Sequence, residues 1–208
     1  VCKEPAKRQT PAPQRQPVRD QGEHEVKQVV RELLKDHDSP RILELGTGSG
    51  VVSIVLYKEL VTPEITATDI SDEALNVAKN NADRYQIKDI NFLVSDWFSE
   101  IKNKKYDLII SNPPYVDKTK LSNEELFNIG MEPDIALYSE NNGTSDLEFI
   151  IQNSSIFLKH GGCLMLEHCY DQADYCMREM KKAGYSRIKK SKDIQNISRT
   201  ISGTFLNE

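Results

Sequence analysis

Gly46, Gly48 and Gly50 stand at alternate positions between a short apolar run, Arg41-Ile42-Leu43-Glu44-Leu45, and an apolar-rich segment of helical length, residues 51–60. Such a pattern reads as strand, tight turn, helix, with the glycines permitting positive φ and close approach of a ligand to the backbone. The helix start adds free N–H groups. The spacing is neither the GxGxxG of dinucleotide sites nor a phosphate loop, since no Lys-Ser/Thr pair follows. By itself the turn names no ligand, so the strand ends that come after it matter.

Three further apolar runs each finish in polar or aromatic groups. Residues 64–70 end in Asp69-Ile70, an acid at the distance expected for a ribose-hydroxyl partner. Residues 90–94 lead to Asp96-Trp97, an acid and a flat ring able to flank an adenine. Residues 106–110 lead to Asn112-Pro113-Pro114-Tyr115. A Pro pair cannot continue a strand ladder, so the chain leaves the sheet at Asn112. An Asn amide, undonated carbonyls and a Tyr ring are thereby left at a strand's C-terminal end, where ligands bind in open α/β sheets. That group is rich in acceptors and carries no obvious nucleophile or general base. It suits a planar NH2 group, as in an amide or an aminopyrimidine.

The alternation extends along the chain. A helix is expected over residues 23–35, with Val26, Val29, Val30, Leu33 and Leu34 on one face. Ser71 is a candidate N-cap, with Asp72 and Glu73 in the first turn and Leu75, Ala78 and Ala82 inward. Residues 116–146 are polar and turn-rich, a length of loop that is functional or carries short helices. A helix over 145–158, a strand over 163–167 and a helix over 172–182 follow. Strands over 187–191 and 200–206 are close enough in sequence to pair antiparallel. Alternating strands and helices imply an α/β fold, a mostly parallel sheet with helices on both faces. No internal repeat is visible. Residues 1–20, rich in Pro, Gln and Arg, read as a flexible tail or linker, and residues 21–208 as one domain.

Composition narrows the class. The 208 residues are 38% hydrophobic and 28% charged, those of a soluble globular protein. No run approaches membrane-span length and no signal-peptide pattern appears, so a cytoplasmic protein is expected. Cys2, Cys163, Cys169 and Cys176 lack CxxC spacing and read as reduced thiols, not as disulfides or a metal site. The net charge of −5 is not that of a phosphate-neutralising surface. The one basic stretch, residues 178–192, reads as a solvated edge, with contact to an acidic partner such as ribosomal RNA or an acidic protein face as the alternative.

The segments ILELGTGSG, TDIS, SDWF, SNPPYVD and MEPDIAL, the Leu166-Glu167-His168 strand end and a late Asp193…Arg199 pair occur in this order. Together they resemble the S-adenosylmethionine-dependent class I methyltransferases, and more closely the HemK-type branch, which methylates a glutamine side-chain amide in peptide-chain release factors. The resemblance runs from about residue 25 to 203. It implies a Rossmann-like, mostly parallel seven-stranded sheet with an antiparallel edge strand. It also implies S-adenosyl-L-methionine as cofactor, S-adenosyl-L-homocysteine as product, and a cofactor site of Glu44, Gly46, Thr47, Gly48, Gly50, Asp69, Ile70, Asp96, Trp97 and Asn112. In that reading Glu44 places negative charge near the cofactor's ammonium, and Asp69 takes the ribose hydroxyls. Asn112, Pro113 and Tyr115 are catalytic, the first two accepting from the substrate NH2 and Tyr115 packing on the amide, and Pro114 joins them in binding the substrate. His168 is read as structural.

The chain departs from the family in two places. The family's Pro-Arg-Pro-x-Thr-Glu stretch is replaced by Asp20-Gln21-Gly22-Glu23-His24-Glu25, and there is no room for the family's N-terminal helical domain. With a first residue Val1, the chain reads as a piece of a longer protein. A release factor is the expected partner, with a monomeric enzyme and no membrane contact. The alternatives are a ribosomal-protein glutamine, an adenine exocyclic amine in nucleic acid (not favoured by the charge), or a weakly catalytic cofactor-binding scaffold.

Overall fold

In the computed structural model, residues 30–31, 34–35, 37–121, 133–193 and 196–206 are described. The expected tail at 1–20, the altered stretch at 20–25, Cys2, most of the 23–35 helix, and Met131 and Glu132 lie outside them. The elements are β1 (Arg41–Leu45), α1 (Val51–Glu59), β2 (Glu64–Asp69), α2 (Asp72–Arg84), β3 (Asn91–Val94) and β4 (Tyr106–Ser111). They continue with α3 (Ser145–Ser154), β5 (Leu158–Glu167), α4 (Ala173–Lys182), β6 (Tyr185–Lys192) and β7 (Ser198–Phe205).

One seven-stranded sheet has the order β3-β2-β1-β4-β5-β7-β6. β1 to β5 run parallel to one another, and β7 runs antiparallel to both β5 and β6. The period-2 pattern of buried strands distributes side chains to two faces. Leu43, Leu45, Ile109, Leu164 and Leu166 pack with Leu147, Ile150 and Ile151 of α3 and Cys176 and Met180 of α4. Ile42, Ile65, Leu108, Ile110 and Met165 pack with Ile54 and Leu56 of α1, Ala82 of α2, and Val30 and Leu34. The result is three layers, helix–sheet–helix. At the N-terminal ends of the strands, the Asp107 carboxylate accepts from the Arg41 N–H at 2.8 Å and pairs with Lys159 at 2.7 Å, tying β1, β4 and β5 together.

Several expected elements appear where the residues placed them. Ser71 Oγ accepts from the Ala74 N–H at 3.1 Å, and Leu75, Ala78 and Ala82 form the buried face of α2. The helix expected over 145–158 is shorter: α3 stops at Ser154, and one 3-10 turn (Ser155–Phe157) leads into β5. β5 in turn begins five residues before the expected strand. The cause is Gly161-Gly162, which breaks the apolar pattern. A Cβ on Gly162 would stand 2.9 Å from the Tyr106 carbonyl oxygen, so the strand passes too close to β4 there for a side chain. The pairing with β4 is irregular at that point.

The edge strand β6 exposes Arg187, Lys189, Lys190 and Lys192, a charged border of the kind that discourages edge-to-edge pairing. Asp193 and Arg199 pair at 3.4 Å across the turn from β6 to β7. Among the described residues, Cys163, Cys169 and Cys176 are free thiols, and burial pushes Cys163 and Cys176 up to about 12. No helix of the described residues is long and apolar enough to cross a membrane.

Candidate active site

Strand order reverses at β1, which has β2 on one side and β4 on the other, and the crevice at such a point opens at the strands' C-terminal ends. A cleft of about 390 Å³ occupies it. Gly46 and Gly48 after β1, Asp69, Ile70 and Ser71 after β2, Ser95, Asp96 and Trp97 after β3, and Asn112 and Pro114 after β4 line it. Pro133, Ile135, Ala136, Tyr138 and Asp146 also line it, with Ala74 at the start of α2. A larger hollow of about 500 Å³ lies between α1 and α2, bounded by Val51, Lys58, Arg84 and Tyr85 among others. It contains none of the strand-end groups and so has no part in their chemistry.

The glycine turn is held from two directions. Gly46, Gly48 and Gly50 all have positive φ, of 67°, 54° and 79°. At Gly50 a Cβ would fall 2.9 Å from the Ala78 Cβ, so this glycine also lets α1 start against α2. At Gly48 nothing lies within 4 Å of such a Cβ, which leaves that backbone open to the cleft. From the cleft side, Asp69 Oδ2 accepts the Gly48 N–H at 2.8 Å while Oδ1 accepts the Ser71 N–H at 3.0 Å. From behind, the buried Glu44 carboxylate accepts from Thr47 Oγ1 at 2.8 Å, from the Ser53 N–H at 3.1 Å and from the Ser53 hydroxyl. Burial pushes the Glu44 carboxyl up to about 7 and the charge of Asp69 adds to the rise, while the Ser53 and Thr47 donors oppose it.

Glu44, Thr47 and Gly50, expected at the cofactor, are therefore not on the cleft wall. They form the support under the turn: among the described residues, the donors that Glu44 meets in its buried position are those of Thr47 and Ser53.

After β3 the chain turns through Trp97 at φ 45°, a left-handed conformation held by Ser95. Ser95 Oγ donates to the Trp97 carbonyl at 2.9 Å and accepts the Glu100 N–H at 3.1 Å. The Trp97 ring does two things at once, packing on the α3-side core and lining the cleft beside Gly46. Asp96 is exposed at the rim.

Ser111 Oγ donates to the Leu45 carbonyl at 2.8 Å, locking the end of β4 to the end of β1 and setting Asn112 across from the glycine turn. Asn112 is exposed into the cleft and Pro113 is buried behind it. Tyr115 is not a wall residue. Its hydroxyl donates to Glu167 Oε1 at 2.9 Å, and burial together with the Glu167 charge holds its phenol well above the ordinary range. The tip of the ring is thus tied to the end of β5, where Glu167 takes the hydroxyl.

Beyond Tyr115, Val116 N–H donates to the Leu137 carbonyl at 2.9 Å, and Val116 bridges to Tyr138. That bridge returns residues 133–138 to the cleft, which Pro133, Ile135, Ala136 and Tyr138 line. The MEPDIAL run is readable as a motif; the place of its described residues 133–137 at the site comes from this long-range bridge. Ser71, expected as a helix cap, also lines the cleft, and Ser95 and Asp146 join it without any pattern of their own in the sequence. His168 is fully buried, with Nδ1 2.7 Å from the Cys169 carbonyl, and burial lowers its proton affinity.

Chemically, the described lining residues include the carboxylates Asp69, Asp96 and Asp146, the Asn112 amide and no Lys or Arg. Such a surface receives N–H and O–H donors and repels phosphates.

The chain is 42% identical over 164 residues to a bifunctional methyltransferase of Rickettsia bellii, an alignment spanning 78% of this chain and 30% of that protein. It is 37% identical over 184 residues to a release factor glutamine methyltransferase of Coxiella burnetii, spanning 88% of this chain and 65% of that one. The chain thus spans less than two thirds of the length of either relative. Among solved structures, a methyltransferase from Pyrococcus furiosus superposes with TM-score 0.63 at 17% identity, covering 87% of this chain and 83% of that one. A release-factor-specific protein-(glutamine-N5) methyltransferase from Alicyclobacillus acidocaldarius gives TM-score 0.55 at 21% identity over 88% and 91% of the two chains. These likenesses establish the class I methyltransferase fold. The family model for the methyltransferase small domain matches residues 24–130, just over half of the sequence, and with the glycine turn, Asp69 and Asn112 converging on one cleft, the chain belongs to the methyltransferase small domain family.

Proposed function

We propose that this chain transfers a methyl group from S-adenosylmethionine to the side-chain amide nitrogen of a glutamine in a peptide-chain release factor, in the cytoplasm. The observation that carries the proposal is the convergence of Gly48, Asp69 and Asn112 on one cleft whose described walls hold carboxylates and an amide and no cation. The similarity to release factor glutamine methyltransferases supports the substrate class. The three carboxylates argue against a nucleic-acid substrate, whose phosphates would need cations near the reacting base.

The residues present fit the cofactor. Gly48 leaves its backbone open, Asp69 presents carboxylate oxygens for ribose hydroxyls, and Trp97 and Asp96 offer a flat face and an acceptor for an adenine. When bound, the sulfonium supplies an already activated methyl group. The protein's own task is to position the nucleophile and exclude water.

An amide nitrogen is a poor nucleophile because its lone pair is delocalised into the carbonyl. Asn112 Oδ1 and the Pro113 carbonyl accept from the substrate NH2, which aims the nitrogen and favours its pyramidal form. Such orientation lowers a barrier by several kcal/mol, on the order of 7 or more in favourable cases. Pro114 bounds the amide, and Tyr115 braces the segment through Glu167. No general base is needed, since the methylated nitrogen loses its proton readily afterwards.

The test is transfer of labelled methyl from the cofactor to recombinant release factor, with mass mapping of the product. Label on a glutamine side chain is the expected result. Label on adenine in RNA or DNA, or none with cofactor binding intact, would overturn the proposal.

A further inference from the structure

Behind the Asn112–Tyr115 segment, one buried side chain joins three separate stretches of chain. Gln172, at the start of α4, is buried and has every polar atom in use. Its Nε2 donates to the Tyr115 carbonyl at 3.0 Å and to the Gly143 carbonyl at 3.0 Å, and its Oε1 accepts the Cys169 N–H at 2.9 Å. Gly143 sits so close to this junction that a Cβ on it would lie 2.3 Å from the Tyr115 carbonyl oxygen. Asn141 and Asn142, just before it, both have left-handed backbones, at φ 54° and 60°. This tight turn is what brings the chain into α3, whose Asp146 lines the same cleft as Asn112.

Gln172 is not itself a cleft residue. We propose that it is a positioning residue that sets the width of the cleft at Asn112, by fixing the Asn112–Tyr115 segment and the turn leading to Asp146 to each other through one side-chain amide. This rests on the proposed methyl transfer to an amide. The bond to the Gly143 carbonyl is buried and the one to the Tyr115 carbonyl partly so, and removing the donor costs both acceptors their partner, so the cheapest relaxation is for the two stretches to part. The glycine turn, Asp69 and Asp96 belong to the strand ends on the other side of Asn112 and do not touch Gln172. Catalytic turnover therefore depends on Gln172 while cofactor affinity does not.

Gln172→Met keeps the length of the side chain and removes both donors. Gln172→Glu keeps the acceptor for Cys169 and sets a carboxylate oxygen against the two carbonyls in place of the donors, so it pushes the same junction apart by repulsion. Either variant is expected to lower kcat about tenfold to hundredfold, the scale of an ångström-sized misplacement. Cofactor Kd by calorimetry is expected to stay within about twofold, the spread of a site left untouched.

Hydrogen exchange of the Tyr115 and Val116 amides, read in the same proteins without substrate, is expected to quicken in both variants. Wild-type turnover tests the methyl-transfer reading separately: if wild type modifies no glutamine, that reading falls and the exchange data alone judge Gln172. Unchanged exchange at Tyr115 and Val116 in a folded variant would overturn the proposal, as would a loss of cofactor affinity equal to the loss of kcat.

Discussion

Glu44 offers a test that reads the support under the glycine turn without any substrate. Its carboxyl lies fully buried among Ser53 and Thr47 donors, and burial raises it to about 7, against an ordinary glutamate value of about 4.3 in the unfolded chain. The native state therefore holds this proton more tightly than the unfolded state does. Below pH ~4.3 both states are protonated and the full stabilisation is present. As pH rises toward 7, the unfolded chain ionises first and stability falls; above 7 both are ionised and the loss is complete. From pH 5 to pH 8 the change amounts to about 2.5 kcal/mol, at about 1.4 kcal/mol per tenfold difference in proton affinity.

Glu44→Gln keeps an acceptor oxygen for Ser53 and Thr47 and removes the titration. The stability difference between wild type and variant should move by about 2.5 kcal/mol over that range, in the direction that favours wild type at pH 5. Urea unfolding followed by fluorescence of Trp97, the only tryptophan, measures it, and with an m-value of roughly 2 kcal/mol/M the relative midpoint shifts by about 1 M. Parallel pH profiles for the two proteins, agreeing within about 0.5 kcal/mol, would show that Glu44 does not titrate in this window and that three donors hold it ionised at pH 5.

Asn112→Ala should abolish methyl transfer while calorimetry finds cofactor affinity within a few-fold of wild type; an equal loss of both would make Asn112 a cofactor ligand. Asp69→Ala should weaken cofactor binding by roughly 1.5–3 kcal/mol, the scale of charge-assisted hydrogen bonds, and an unchanged Kd would move the ribose site elsewhere. Gly50→Ala places a Cβ 2.9 Å from the Ala78 Cβ on a backbone at φ 79°, and should lower stability by about 2–4 kcal/mol in urea unfolding. A loss below about 0.5 kcal/mol would mean that α1 and α2 separate freely at that contact.

Local chemistry made much of this molecule readable from its residues. The Pro113-Pro114 pair ends β4 because neither residue can donate to a ladder. Ser71 caps α2 because its hydroxyl meets the Ala74 N–H whatever lies around it. The cleft's near wall was legible for the same reason: Gly46, Gly48, Asp69, Trp97 and Asn112 each follow directly on an apolar strand, and parallel strands deliver their ends to one side. What escaped is set by contacts between residues far apart in sequence. β5 begins early because Gly162 lets the strand pass the Tyr106 carbonyl, a contact no run of apolar residues announces. Tyr115 carries the right ring in the right motif, yet Glu167, fifty-two residues later, takes its hydroxyl and ties the tip of the ring to the end of β5. Gln172 reads in sequence as one polar residue among several before a helix. Its weight comes from two carbonyls, twenty-nine and fifty-seven residues upstream, that both accept from its one side-chain amide. The residues that contact a ligand sit at strand ends and advertise themselves, whereas those that hold the contacting residues in place are defined by tertiary hydrogen bonds and become visible only in the folded chain.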